Sequence, residues 1–269
     1  MHRLPTLFVS HGAPTFALSP GLAGPRLTAL GRALTQALPR PAAVLVVSPH
    51  WQTAAPRVST AARPTTLHDF GGFPQALFEI DYPAPGHPQL AQHTIERLRQ
   101  AGWPADADAA RGLDHGAWVP LLYLYPQADV PVFQVSLPAG LDAEAAWQLG
   151  LALAPLADDG VLIVGSGSLT HNLHEIRAEG ARMETYAAEF SAWVGDAATG
   201  SDRGRLKRTL VLAPHAQRAH PTPEHFWPLL VAAGAADPAQ PGWVIEGGTT
   251  HGVLNMDSFV FGALPQQAR

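Results

Sequence analysis

The sequence predicts a single α/β domain whose central sheet is mixed or parallel, largely buried, and flanked by helices. Two observations predict this fold. Short apolar runs typical of strands recur along the chain, and they are continuous rather than alternating, as in strands covered on both faces. Longer amphipathic segments separate them. Because no repeat or low-complexity linker divides the 269 residues, we expect one domain over residues 1–269.

The predicted strands are rich in Val, Leu and Ile, and most are followed by polar or glycine-containing turns. They cover residues 7–9, 43–47, 130–135, 161–164 and 243–245. The predicted helices carry apolar residues three or four apart, as Leu27, Leu30 and Leu34 do. They cover residues 25–38, 88–100, 143–157, 183–193 and 223–231, and the Pro- and Gly-containing segments 62–72, 82–88 and 232–242 are predicted loops.

Composition excludes several classes of function. Charged residues make up only 14% of the chain, well below the usual ~25%, which indicates a compact chain with little disorder. A net charge of −5 without a basic stripe argues against a nucleic-acid partner. The absence of Cys excludes disulfides, iron–sulfur clusters and thiol nucleophiles, so any metal must be bound by imidazole or carboxylate.

No apolar run approaches the ~20 residues that span a bilayer, so we expect no membrane partner. The first apolar run, residues 6–9, is too short for the core of a signal peptide. We therefore expect a cytoplasmic protein.

Polar residues follow three of the predicted strands. Ser10-His11-Gly12 follows the first, Ser48-Pro49-His50-Trp51 the second, and a Gly-Ser loop leads from the fourth to His171. Ligands of open α/β sheets bind beyond the carboxyl ends of the strands. We therefore expect His11, His50 and His171 to converge on one site.

Most of the 13 histidines need no functional role, because one backbone partner satisfies an imidazole. His11 and His50 fit two interpretations equally well, as strand-end caps or as ligands of Fe(II) or Zn(II). His115 precedes a predicted helix, where Asp114 or another carboxylate can orient it, and Asn172 can orient His171.

His225 lies at the start of the last predicted helix. Thr222 is its predicted N-cap and Pro223 its first residue, so Glu224 has an ordinary explanation in the helix dipole. The helix dipole would disfavour a protonated histidine at this end of the helix, which favours a neutral His225 that binds a metal. His174 is interpreted as a surface neighbour of His171, and His2, His87, His93, His215 and His251 as solvent-exposed or loop histidines. The segment 165–170 is neither a dinucleotide loop nor a nucleophile elbow.

Six motifs in order resemble a known family over essentially the whole chain. The chain is similar to the 4,5-DOPA extradiol dioxygenase group of the class III extradiol ring-cleavage superfamily. The motifs are Leu7-Phe8-Val9-Ser10-His11-Gly12-Ala13-Pro14, Val46-Val47-Ser48-Pro49-His50-Trp51, Leu67-His68-Asp69-Phe70-Gly71-Gly72-Phe73-Pro74, Leu113-Asp114-His115-Gly116-Ala117-Trp118, Thr170-His171-Asn172-Leu173 and His220-Pro221-Thr222-Pro223-Glu224-His225.

The resemblance implies a role for six histidines. It makes His11, His50 and His225 metal ligands and His171 the catalytic acid and base, close enough to the metal to be a possible fourth ligand. His115 is the second catalytic histidine, in contact with substrate or oxygen. His68 is implied to line the substrate pocket.

The same resemblance implies Fe(II) as the working metal, although Zn(II) can occupy a three-histidine site. The substrates implied are a DOPA-like catechol and O2. Two alternatives remain: a metal-binding relative with a binding or signalling role, and a zinc-dependent hydrolase. The presence of His11, His50, His115, His171 and His225 together favours the enzyme.

Overall fold

A mixed sheet of eight strands runs through the centre of the protein. The structure, a computed structural model, describes residues 3–263. The strands of the described chain are β1 (Thr6–Ser10), β2 (Ala43–Thr53), β3 (Arg57–Ser59), β4 (Asp106–Asp108), β5 (Val132–Pro138), β6 (Val161–Gly167), β7 (Gly242–Ile245), β8 (Thr249–Thr250), β9 (Leu254–Asn255) and β10 (Ser258–Phe261). The large sheet has the order β4-β3-β5-β2-β6-β1-β10-β7, and β8 pairs only with β9.

Helices cover both faces of this sheet. They are α1 (Ala23–Ala37), α2 (Gln75–Phe78), α3 (Pro88–Gln100), α4 (His115–Leu124), α5 (Ala143–Leu153), α6 (Thr185–Thr199), α7 (Thr209–Leu212), α8 (Ala216–Ala219) and α9 (Trp227–Ala235). Within the described residues, none of them is long and apolar enough to cross a membrane.

Alternate residues of the central strands enter two separate cores. Leu45 and Val47 pack into the core formed with α3, α5, α6 and α9. Val44 and Val46 pack into the core formed with α1 and α4. The continuous apolar run of β2 is therefore the consequence of burial on both faces, and the predicted fold class is confirmed.

The four central strands, β5, β2, β6 and β1, are mutually parallel, so their carboxyl ends share one edge of the sheet. The outer strands make the sheet mixed, because β10 and β7 run antiparallel to their neighbours. These outer strands, with β3 and β4, have at most four residues each. Such lengths leave little periodicity to predict them from.

Helix α9 differs from its prediction at both ends. It begins at Trp227, so the predicted cap at Thr222 is wrong, and Glu224 and His225 lie in the turn before the helix. The prediction of a surface loop from residue 232 is also wrong, because α9 continues through the buried Ala235. Its small residues allow close packing: a Cβ at Gly234 would meet the backbone of Trp147 in α5.

Two glycines of β6 bring α9 and the turn before it close to the sheet. A Cβ on Gly165 would collide with the carbonyl oxygen of Pro228, and one on Gly167 with that of His225. The same contact is fastened by a hydrogen bond from the Ser168 amide to the His225 carbonyl, 3.0 Å long. The position of His225 therefore depends on the absence of side chains on this part of β6.

We predict that Gly165→Ala lowers the free energy of unfolding by about 1–3 kcal/mol or more, because the added methyl meets backbone that cannot move without displacing α9. Gly195→Ala is the matched control, since its Cβ meets nothing within 4 Å in the middle of α6. That change should stabilise by roughly 0.5–1 kcal/mol through helix propensity. Urea denaturation measures both, and equal effects of the two substitutions would contradict the packing argument.

Candidate metal centre

Five histidines meet beyond the carboxyl ends of the parallel strands. His11 follows β1, His50 lies in β2, His115 begins α4, His171 follows β6, and His225 precedes α9. The Nε2 atoms of His11 and His50 are 3.1 Å apart. The ring of His225 has its centroid 5.5 Å from that of His11 and 5.1 Å from that of His50. His11, His50 and His171 thus converge on one region, although His50 lies within β2 and not after it.

Local irregularities of the backbone direct two of these rings. The register of β2 against β5 shifts between Ser48 and Gln52, so His50 lies within a bulge of a strand that continues to Thr53, not after its end. Bulges commonly re-aim side chains beside functional sites. After His11 the chain turns through Gly12 at φ +61°, a conformation that favours glycine.

A hydrogen-bond chain determines the tautomer of His11. The Ser166 hydroxyl has one proton and donates it to the Gly116 carbonyl, which can only accept. Ser166 Oγ therefore accepts from Nδ1–H of His11, 2.9 Å away. Nε2 of His11 is therefore unprotonated, and its lone pair lies 3.1 Å from Nε2 of His50.

Carboxylates fix two further rings in the same way. Asp69 Oδ1 lies 3.0 Å from Nδ1 of His115 and also accepts the His115 backbone amide. Glu224 Oε1 lies 3.0 Å from Nδ1 of His225. Each carboxylate accepts a proton from Nδ1, which leaves Nε2 as the free nitrogen, an arrangement typical of metal-binding histidines.

Burial keeps these imidazoles neutral. It lowers the pKa of His11 and of His225 well below the ordinary value, and the neighbouring histidines lower both further. Burial also lowers the pKa of His50 to about 4, with His115 adding to the effect. At neutral pH all three rings are in the form that binds metals.

The three nitrogens fit a divalent transition metal. His11, His50 and His225 can each offer one nitrogen, and these atoms lie within 4.8 Å of one another. Metal–imidazole bonds of about 2.0–2.1 Å require separations of this order between ligand nitrogens. Two other groups are similarly close, His50 with Asp69 and His115, and His171 with Glu224 and His225.

Asp69, not Asp114, orients His115. Burial alone would raise the pKa of Asp69, but the hydrogen bonds from His115 outweigh it and lower that pKa to about 2. From the sequence, Asp114 or another carboxylate was expected in this role, and Asp69 was not singled out. Its position in the motif of residues 67–74, next to His68, was the available signal.

Asp114 instead supports the strand that carries His50. It accepts hydrogen bonds from Arg111 Nη2 at 2.7 Å and Gln134 Nε2 at 2.8 Å. Arg111 lies over the Trp51 ring and donates to the His50 carbonyl at 3.3 Å. The pair of Arg111 and the buried Asp114 therefore supports the backbone of the bulge.

His171 packs flat against His225. Their ring centroids are 3.5 Å apart and their planes differ by 12°. Burial lowers the pKa of His171 to about 4, although Glu224 opposes the effect. Asn172 does not orient this ring, because its side-chain amide donates to Glu175 and to the Arg218 carbonyl.

His68 lies one layer behind the histidine cluster. Its Nε2 is 3.0 Å from the Ile80 carbonyl, and its ring packs edge-on against Phe70 and Trp118. Phe70, not His68, forms the wall of the cavity beside His50 and His115. Direct contact of His68 with substrate stays a prediction; its observed contacts support Phe70.

The five histidines open into a cavity of about 280 Å³. Its other lining residues are mostly aromatic or aliphatic. The side chains that form it besides the histidines are Ala13, Pro14, Phe70, Phe73, Leu173, Ile176 and Leu254, with Gly12 at the backbone. This volume accommodates a small aromatic molecule.

Comparison with known proteins identifies the family of the chain. The sequence profile of the catalytic LigB subunit of aromatic ring-opening dioxygenase matches residues 6–260. A Beta vulgaris protein named 4,5-DOPA dioxygenase extradiol is 39% identical over 257 residues, covering 95% of this chain and 96% of that protein. An Escherichia coli protein of the same name is 37% identical, with 97% and 95% covered.

A solved structure confirms the fold. The crystal structure of an uncharacterized Escherichia coli K12 protein superposes with a TM-score of 0.80 at 33% identity, covering 97% of this chain and all of that one. The family match and the relatives named as extradiol dioxygenases identify the chain as an oxygenase of the ring-opening class. The chain belongs to the family of the LigB catalytic subunit of aromatic ring-opening dioxygenases.

A hydrogen bond from His220 connects the segment that carries His225 to the loop that carries His171. Its Nε2–H donates to the Leu169 carbonyl at 2.9 Å, and its Nδ1 is buried without a hydrogen-bond partner. The ring lies against Phe190 and Phe226. Burial lowers the pKa of His220 to about 4, because a second proton would lie in this apolar contact.

We predict that His220 makes the protein sensitive to acid. The unfolded chain, with a histidine pKa of ~6.5, takes up the proton more readily than the folded one, so stability present above that pH is lost as pH falls toward 4. His220→Phe should therefore flatten the pH dependence of unfolding between pH 7 and 5 by up to about 1.4 kcal/mol per pH unit. Phe190→Leu, which keeps the imidazole and an apolar neighbour beside it, should leave the slope unchanged. Equal slopes for wild type and His220→Phe in urea titrations would contradict this.

Proposed function

We propose that this protein is a metal-dependent extradiol dioxygenase that opens the ring of a DOPA-like catechol with O2, using His11, His50 and His225 as metal ligands. The observation that carries the proposal is the convergence of three neutral imidazoles. Two of them, His11 and His225, have Nδ1 bound to a fixed acceptor and Nε2 free. The relatives named as DOPA dioxygenases support the choice of substrate.

Fe(II) is the working metal that we propose, because its redox chemistry allows O2 to react with a bound catechol, whereas Zn(II) can fill the same three-histidine site without that chemistry. Three neutral ligands do not offset the charge of a divalent cation. A catecholate, which brings two negative charges, does. This balance favours catechols over monophenols as ligands of the centre.

His171 is the proposed acid and base. Neutral at physiological pH, it can accept a proton from a catechol hydroxyl and return it to oxygen later in the reaction. Its ring stacks on that of the proposed ligand His225, which supports a role beside a substrate bound at the centre. Its closeness to Glu224 and His225 also keeps open the role of a fourth ligand.

His115 is proposed to contact substrate or oxygen. Its ring is 3.9 Å from that of His50, centroid to centroid, and its Nδ1 is committed to Asp69. Nε2 is thus the nitrogen free to bind a hydroxyl or oxygen. His68 supports this arrangement from behind, by packing against Phe70.

Replacing a proposed ligand should remove the metal. We predict that His11→Ala, His50→Ala and His225→Ala each abolish stoichiometric binding of Fe(II) and Zn(II) with little change in circular dichroism. His93→Ala, on the exposed side of α3, is the control and should bind metal as wild type does. Elemental analysis after metal loading and desalting gives the stoichiometry. Full occupancy in His225→Ala would move the third ligand to another group, with Glu224 the first to test by Glu224→Gln.

The catalytic role of His171 is separable from metal binding. We predict that His171→Gln retains the metal and loses activity by about 10²–10⁴-fold, the usual contribution of a general acid and base. Metal content and kcat measured on the same sample distinguish the roles. Loss of metal would make His171 a fourth ligand, and unchanged turnover would remove it from the mechanism.

Iron-loaded protein should consume O2 with DOPA, caffeate or a related catechol and form a yellow ring-opened semialdehyde. Zinc-loaded protein should bind the same catechol without reaction, because Zn(II) has no accessible redox change. An oxygen electrode and visible absorbance across a catechol panel test this, with metal-free protein as a second control. Inertness toward every catechol, together with zinc-dependent cleavage of an ester or amide, would replace the dioxygenase by a hydrolase.

A further inference from the structure

The cavity above the histidine cluster has no fixed charge in its wall. Within the part of the chain that the structure describes, its lining includes no Lys, Arg, Asp or Glu, and its ionisable side chains are the five histidines. The remaining surface consists of aromatic, aliphatic and small residues. An ionic substituent on a substrate would therefore lose water here without gaining a partner of opposite charge.

The charges just behind the wall are negative. Asp69 and Glu224 stand behind the rings of His115 and His225, each with a carboxylate oxygen 3.0 Å from Nδ1. The guanidinium of Arg111 is already paired with Asp114 at 2.7 Å. Arg177, beside the cavity residue Ile176 in the sequence, pairs with Glu184 at 3.2 Å. A carboxylate on the substrate would meet repulsion and no unpaired cation among these groups.

Two aliphatic side chains at the rim face water. Leu173 is 54% and Ile176 is 46% exposed, although both line the cavity. The turn that carries Leu173 is held in place, because Asn172 accepts the His174 amide and donates to the Arg218 carbonyl. Large aliphatic groups held open beside a binding cavity gain free energy when an apolar group covers them.

We propose that this protein selects catechols whose ring substituent is uncharged and apolar, and that Leu173 and Ile176 contact that substituent and set the preference. The inference rests on the proposed function, since it assumes that a catechol binds at the histidine centre. Within the proposed class of catechol substrates, it ranks uncharged catechols above DOPA, whose side chain carries both a carboxylate and an ammonium group. Burial of an apolar substituent and the absence of a counter-ion for a charged one both favour binding of uncharged catechols.

The test compares three catechols of similar length: 4-propylcatechol, 3-(3,4-dihydroxyphenyl)propanoate and the methyl ester of that acid. Calorimetry with zinc-loaded protein measures Kd without turnover, and kcat/KM with iron-loaded protein provides the second reading. We expect Kd for 4-propylcatechol and for the ester to be at least about tenfold lower than for the acid. Equal or tighter binding of the acid would overturn the inference.

A substitution at the rim tests the residues. Leu173→Arg supplies the missing cation and should improve binding of the acid by about five- to tenfold relative to the ester. Leu151→Arg is the matched control, because Leu151 is 46% exposed on α5 and does not line the cavity. The control should leave the ratio unchanged. No change with Leu173→Arg, or an equal change with both, would overturn the role of Leu173.

Unsubstituted catechol distinguishes a failure of the proposed selectivity from a failure of the proposed dioxygenase function. If it binds zinc-loaded protein and is consumed by iron-loaded protein while acid and ester behave alike, the selectivity fails and the dioxygenase stands. If unsubstituted catechol neither binds nor reacts, the proposed function fails and this inference fails with it.

Discussion

The site depends on acceptors that engage the outer nitrogen of its rings. A neutral imidazole carries its proton on either nitrogen, and in these rings only the tautomer with the proton on Nδ1 leaves a lone pair on Nε2. Ser166, Asp69 and Glu224 make that choice for His11, His115 and His225 respectively, by accepting the proton on Nδ1. The sheet brings the rings together, but these acceptors decide which nitrogen of each ring has the lone pair that can bind a metal or substrate.

This arrangement requires segments of backbone that pack directly against one another. Gly165 and Gly167 let the turn before α9 lie directly on β6, and the bulge in β2 turns His50 toward His11. The pair of Arg111 and Asp114 then supports the backbone of the bulge. Each device is local, yet together they position residues that are distant in sequence.

The features that could be predicted from the sequence are those encoded by residues close together in the chain. The buried runs of β1, β2 and β6 are continuous and apolar, and a histidine directly after such a run is visible without a structure. Asp69 left no such pattern, because its partner His115 is far along the chain and only the fold brings them together. The start of α9 was misplaced for a related reason: Thr222 and Pro223 form a good local cap signal, but Thr222 Oγ1 donates to Glu224 and the helix begins after the turn.

The two cores on opposite faces of the sheet affect the local unfolding of the protein. His115 belongs to α4, on one face, and His225 to the turn before α9, on the other, while His11 and His50 come from the sheet between them. A cation bound by His11, His50 and His225 would tie the sheet to the α9 layer, and a substrate in contact with His115 would extend that tie to the α4 layer. Occupancy then raises the free energy of every local fluctuation that separates these layers, because opening must first release the ligand. Amide hydrogen exchange far from the centre, in α4 and α9 alike, becomes a reporter of what the cavity contains.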